Sequence, residues 1–218
     1  MLKIGLCIVL FALAAGCAPT QKPLTDYVNP LLGTATLWDS VDLGFKPTKR
    51  TWGAEVFPGS SLPNAMVQVS PVTKFHSGAG YQYEDSVIYG FTHTNKGHWN
   101  LCHIPLLPVT GTPLPGDYCS PYSHARESAA PGYYRVFLDR YGVDAELTST
   151  LRCAFHKYTY PAGAQAALLA DLQRSNEHVR AWDIRKEDDN AFAGWQQTGE
   201  KMYFYAVADR PVTGIRSE

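Results

Sequence analysis

The sequence predicts an all-β fold, an antiparallel β-sandwich. Three observations carry the prediction. Short apolar runs recur at a spacing of roughly ten residues with Gly or Pro between them, as sandwich strands do. Eighteen glycines and 15 prolines in 218 residues supply the turns such a chain needs. No stretch shows the apolar period of an amphipathic helix three turns long.

Residues 1–17 read as a targeting segment outside the fold. Lys3 precedes an apolar run from Ile4 to Ala15, too short to span a bilayer. Leu13-Ala-Ala-Gly-Cys17 has the form of a bacterial lipobox, in which Cys17 becomes the lipidated first residue; an ordinary secretory signal is the alternative. Ala18 in place of an aspartate favours the outer membrane, so the expected location is periplasm or cell surface, held by a lipid anchor. Residues 18–25 read as a polar tether and residues 26–218 as one domain. The three remaining cysteines, Cys102, Cys119 and Cys153, match no disulfide framework and are expected to be buried free thiols.

From Asp26 to about Gly59 turn formers dominate, and strands follow. Asn64–Ser70, Val87–Thr92 and Ile104–Val109 are apolar runs. Tyr133–Arg140 and Val143–Thr150 alternate and are joined at Tyr141-Gly142, which predicts a hairpin with Tyr134, Val136 and Leu138 on one face and Val143, Ala145 and Leu147 facing the same way. Leu151–Tyr160, Ala166–Leu172, Val179–Lys186, Ala191–Gln197 and Met202–Val207 continue the series. Ala162–Leu172 is alanine-rich, but Pro161 and Gly163 favour a strand.

Lys plus Arg number 19 against 20 Asp plus Glu, which argues against a nucleic-acid partner. The densest chemistry lies in Gly90-Phe-Thr-His-Thr-Asn-Lys-Gly-His-Trp-Asn-Leu-Cys-His103, which offers donors, acceptors and one flat apolar ring, the combination a sugar requires. His93, His98 and His103 could instead hold zinc, but a step of five residues suits neither a helix face nor a strand face. The plainer expectation puts His103 at the core edge and has His93 and His98 bonding within the loop. No nucleophile elbow or phosphate loop is present. Glycoside hydrolysis needs two carboxylates, and sequence alone pairs none; Asp144 and Glu146 share a face expected to be solvated, and Arg126-Glu127 and Asp139-Arg140 read as surface pairs. Trp182 and Trp195 fall inside strand runs and are expected in the core, whereas Trp99 sits in the loop as a candidate sugar platform.

Several motifs, taken in order, carry a family resemblance: Asp26-Tyr-Val-Asn-Pro-Leu-Leu-Gly-Thr34, Val56-Phe-Pro-Gly59, Leu62-Pro-Asn-Ala-Met-Val-Gln-Val-Ser-Pro71, Gly80-Tyr-Gln-Tyr-Glu-Asp85, Ile88-Tyr-Gly-Phe-Thr-His-Thr94, Pro131-Gly-Tyr-Tyr134, Ala145-Glu-Leu-Thr-Ser-Thr150 and His156-Lys-Tyr-Thr-Tyr-Pro161. From Asp26 to about Val207 the chain resembles the amino-terminal domain of glycoside hydrolase family 92, secreted calcium-dependent exo-α-mannosidases. The resemblance implies a supersandwich-like β-domain packed on an (α/α)-barrel in cis or trans. That barrel would supply the general acid, the general-base carboxylates and most calcium ligands for inverting hydrolysis of mannose-containing glycans. It therefore implies no catalytic residue and no metal ligand here, and an incomplete set of C-terminal strands. Lys74 follows Ser70-Pro-Val-Thr73 where the family commonly has an arginine, and Asn95-Lys-Gly-His-Trp-Asn100 replaces a common His-Leu-Ser-Gly-Thr-Gly.

The expected substrate-binding residues are Gly33, Thr34, Lys74, His93, His98, Trp99 and Asn100. Two functional readings follow: the substrate-cleft domain of an α-mannosidase-type enzyme, inactive alone, or a stand-alone carbohydrate-binding surface lipoprotein.

Overall fold

The computed structural model describes residues 21–37, 52–53, 56–96, 99–112 and 116–217. The targeting segment with Cys17, the first part of the tether and His98 lie outside the described residues. Apart from 3-10 turns at Leu24–Tyr27 and His124–Arg126, the regular structure described is all strand.

Three antiparallel sheets form the body. The five-stranded sheet is built from Ser60–Ser61, Gln68–Val72, Gly90–Thr92, Leu106–Thr110 and Ala166–Ala170. The four-stranded sheet is a meander of Glu127–Ala130, Tyr133–Leu138, Val143–Ser149 and Ala154–Thr159. Ala181–Lys186, Ala191–Gln197 and Lys201–Val207 make a three-stranded meander.

The first two sheets form the predicted sandwich. Val69, Phe91, Leu107 and Val109 from one pack against Tyr134, Val136, Leu138, Val143, Ala145 and Leu147 from the other. Each large apolar side chain buried there stabilises by about 1.5–3 kcal/mol. The other face of the five-stranded sheet is covered too: Leu106, with Ile104 and Leu172, meets Trp182, Ile184, Met202 and Phe204 of the three-stranded sheet. The sequence records both situations. Leu106–Thr110 is sandwiched between layers and is apolar for most of its length, whereas Tyr133–Leu138 has one wet face and alternates.

Some details depart from expectation. The hairpin closes at the Leu138–Val143 pair, so its connection is Asp139–Gly142, with Gly142 at φ 64° and its N–H donating to Leu138 O at 2.9 Å. Five predicted runs are trimmed, to Tyr133–Leu138, Val143–Ser149, Ala154–Thr159, Ala166–Ala170 and Ala181–Lys186. Gln68–Val72 and Leu106–Thr110 run past their expected ends, and Val87–Thr92 divides at Tyr89 into Val87–Ile88 and Gly90–Thr92, which join different sheets. Trp195 is not in an inter-sheet core: it pairs with exposed Tyr203 on the outward face of the three-stranded sheet, and Lys201 Nζ stands 3.6 Å from its ring centroid. All three described cysteines are free, yet only Cys102 is buried and Cys153 is exposed. Arg126 and Arg140 bridge to Asp139 and Asp117 rather than to their chain neighbours.

Candidate functional site

Asn100 organises the loops that sequence singled out. In the short ladder Asn95–Lys96 with Trp99–Asn100, alternation sends Asn100 inward and leaves Trp99 half-buried, opposite exposed Lys96. The Asn100 side chain is wholly enclosed. Its Nδ2 donates to Ala79 O and Thr92 Oγ1, both at 3.2 Å, and its Oδ1 accepts the Cys102 N–H at 2.8 Å. Its backbone N–H donates to Gly78 O at 2.8 Å. Gly80 has to be glycine here, because its φ is +75° and a Cβ would lie 2.6 Å from Asn100 Nδ2.

Asn176 closes the arrangement from the other side. Its Nδ2 donates to Asn100 O at 2.6 Å and Ser77 O at 3.3 Å, while its Oδ1 accepts the His76 N–H at 2.6 Å. Loop 74–80 and the Trp99–Asn100 strand are thereby one unit, with Lys74 exposed on it. The following turn is strained: Cys102 and Ile104 both have φ 53°, a left-handed conformation that a β-branched residue resists. Asn100 holds the first, and Gln196 Oε1 holds the second by accepting the Ile104 N–H at 3.0 Å.

At the rim of this unit, Gln68 Oε1, Thr94 Oγ1 and both amide atoms of Asn95 are buried without a protein partner. Such groups call for hydroxyls or water.

The other expected residues are placed differently. Thr34 is buried, its hydroxyl donating to Leu31 O at 2.8 Å, and its carbonyl accepts the Tyr83 N–H at 3.1 Å. Gly33, beside it, is half-buried with φ 84°. His93 is not in the loop chemistry. Its Nε2 lies 3.0 Å from Nε2 of His156, whose Nδ1 is 2.7 Å from the Tyr158 hydroxyl. Burial pushes His93 down to about 4 and His156 well below its usual value, so both imidazoles are neutral at pH 7. The expectation of bonding within the loop fails because His156 arrives from the facing sheet. His103 is buried, with Nε2 3.1 Å from Thr198 Oγ1, and burial lowers its pKa against the opposing pull of Glu177. The two described histidines of the loop thus part company rather than converge. Among the described residues no group of three His, Cys, Asp or Glu side chains could hold a metal ion.

Sequence reasoning missed Glu127. Read as a surface residue, its side chain is 0 % exposed. Its Oε1 accepts the Tyr81 hydroxyl at 2.9 Å and the Tyr134 hydroxyl at 2.6 Å, and its Oε2 lies 2.6 Å from His124 Nδ1. His124 Nε2 donates to Tyr83 O at 2.7 Å, and the two rings stack at 3.9 Å. Burial first, then the Glu127 charge, pushes the Tyr81 and Tyr134 phenols far up. With its oxygens occupied by two phenols and an imidazole, this carboxylate anchors Tyr83, and through it the Gly33–Thr34 segment. The His124-x-x-Glu127 spacing was the only local hint.

Residues 27–217 match the glycosyl hydrolase family 92 N-terminal domain. The chain belongs to glycoside hydrolase family 92. Family 92 structures also superpose on it. The family 92 α-mannosidase BT3965 from Bacteroides thetaiotaomicron matches with a TM-score of 0.76 and 29% identity, over 88% of this chain and 26% of that one. The family 92 glycosyl hydrolase ccman5 matches with a TM-score of 0.63 and 25% identity, over 83% of this chain and 25% of that one. The inverting mannosidase BT2199 from Bacteroides thetaiotaomicron, at 24% identity, a TM-score of 0.63 and coverage of 81% of this chain and 23% of that one, shares the fold. The chain thus spans about a quarter of the length of these family 92 proteins. No curated protein sequence matches it.

Proposed function

We propose that this family 92 domain forms part of the substrate cleft of an α-mannosidase-type glycoside hydrolase, recognises terminal mannose, and is inactive alone. The observation that carries the reading is the pinned pair of loops: Asn100 and Asn176 fix Trp99 and Lys74 on one rigid unit. Trp99 would offer its ring to the apolar face of the sugar, and Lys74 a point charge to its hydroxyls. His98 and Gly33 would complete the wall, which orients the sugar and excludes water, with buried Thr34 holding the Gly33 segment from within. Asn100 acts from behind by holding Trp99 in place, whereas His93 is turned to His156 of the facing sheet.

Proton transfer belongs to an (α/α)-barrel domain in cis or trans. Calcium would go with that domain, which would supply most of its ligands; among the described residues no three His, Cys, Asp or Glu side chains come together for it, and no step here runs through the ion. Lipidation at Cys17 would place the protein in the periplasm or at the cell surface, anchored to an outer membrane.

The test is turnover of aryl α-mannosides and mannose disaccharides by the purified chain with calcium. None is expected, and turnover at enzymatic rates refutes the assignment of inactivity. The self-contained support of Trp99 also favours a second reading, a stand-alone carbohydrate-binding lipoprotein. Calorimetric titration with mannose oligosaccharides separates the two. Appreciable affinity lost in Trp99→Ala indicates the stand-alone module, and no binding indicates a partial cleft.

A further inference from the structure

We propose that the outer face of the four-stranded sheet carries a second sugar subsite, in the cleft bounded by Arg126, Ser128, Arg135, Phe137 and Asp144. It rests on the reading of this domain as a mannoside-recognition unit, but uses none of the residues of the Trp99 loops.

The cleft has a volume of about 290 Å³. That is the lower end of ligand-pocket sizes, room for one hexose ring. The strand register places its floor. Ser128 is opposite Arg135, and Phe137 is opposite Asp144, all on the face away from buried Tyr134, Val136 and Leu138.

Two guanidinium groups are held ready at the mouth. Arg135 Nε donates to both oxygens of Asp144, at 2.9 and 3.1 Å, and its Nη2 donates to the same carboxylate. Arg126 Cζ lies over the Phe137 ring, 3.9 Å from the centroid, and one Nη2 bond goes to Asp139. Ring contact and pairing therefore hold both groups, although the two side chains are 50 % and 52 % exposed. Little rotamer freedom remains to be lost when a ligand arrives.

Charge decides the ligand class. Each guanidinium already has its own carboxylate, and Glu127, which also lines the cleft, turns its carboxylate inward onto Tyr81, Tyr134 and His124, so the cleft has no surplus of positive charge and offers no net attraction to a phosphate or a uronate. What remains are N–H donors on Arg126 and Arg135 beside the acceptor oxygens of Asp144 and the hydroxyl of Ser128. Adjacent hydroxyls of a neutral sugar satisfy donors and acceptors of this kind together, and Ala125 with the part of Phe137 that Arg126 leaves uncovered gives the apolar wall for its C–H face.

NMR titration of the isotope-labelled full chain tests this, with methyl α-D-mannopyranoside and, separately, inorganic phosphate. The mannoside is expected to shift the amides of Ser128, Arg135, Phe137 and Asp144. Arg126→Lys and Arg135→Lys keep the charge but lose the planar fork. Each should weaken that response about tenfold, with the unfolding midpoint unchanged and any response at Trp99 intact. Trp99→Ala should leave the cleft response untouched. Three outcomes overturn the proposal: no shift at the cleft at saturating mannoside, a response to phosphate only, or affinity retained within about twofold in both Lys variants. A silent Trp99 loop with a responding cleft would remove the loop site and leave this one standing.

Discussion

Replacing Asn100 by alanine tests whether this one side chain holds the candidate site together. The substitution removes the donor to Ala79 O and Thr92 Oγ1 and the acceptor of the Cys102 N–H, all in a region where Thr92, Cys102 and Asn100 are fully buried. A buried polar group left without a partner costs about 1–3 kcal/mol. Thr92 Oγ1 also contacts Ser70 O at 3.5 Å and can turn to it, so two groups, Ala79 O and Cys102 N–H, are stranded. The expected loss is therefore about 2–6 kcal/mol, a large share of the 5–15 kcal/mol typical of a domain. Urea unfolding followed by tryptophan fluorescence measures it.

The neighbouring glycine supplies an internal check. Gly80→Ala alone should be severely destabilising, since its Cβ would lie 2.6 Å from Asn100 Nδ2. In the double variant the clash with Asn100 is gone, leaving the strain at φ +75° and a close 3.3 Å approach to Cys102 Sγ, so the two losses should sum to more than the double variant shows. A loss below about 1 kcal/mol for Asn100→Ala, or strict additivity with Gly80→Ala, would refute the clamp.

Three further outcomes are expected. His93, neutral in the fold with its pKa lowered from 6.5 to about 4, contributes stability that is present above pH 6.5 and is lost as pH falls towards 4. The loss at pH 5 should be on the order of 1–2 kcal/mol, His156 adding in the same direction, and a His93→Gln variant should show a flatter pH profile of unfolding midpoints. Gly194→Ala should cost about 3 kcal/mol or more, because its Cβ would meet Asp183 O at 2.1 Å; Phe204→Ala should not rescue it, the nearest atom being backbone, and thermal melts decide the matter. Glu127→Ala should lose about 3 kcal/mol or more through the stranded Tyr81 and Tyr134 hydroxyls, with a change in near-ultraviolet circular dichroism as the Tyr83–His124 stack loosens; an unchanged spectrum and midpoint would count against the anchoring role.

What the sequence determined by itself was direction. Alternation in Tyr133–Leu138 and Val143–Ser149 specified which side chains enter the core, and the unbroken apolar run at Leu106–Val109 reflected a strand covered on both faces. The ordered motifs were sufficient for the family, but the loop reading of Gly90–His103 did not foresee that Trp99–Asn100 pairs with Asn95–Lys96 and turns Asn100 inward. Only tertiary structure decided what each inward side chain meets. His93 finds His156, Glu127 finds Tyr81 and Tyr134, and Asn100 finds Ala79 and is capped by Asn176, partners that lie on other strands or loops. The reason is physical. Periodicity along a strand follows from its backbone geometry, whereas a contact between layers depends on how sheets stack and which loop closes over their ends, and the local pattern carries no record of that.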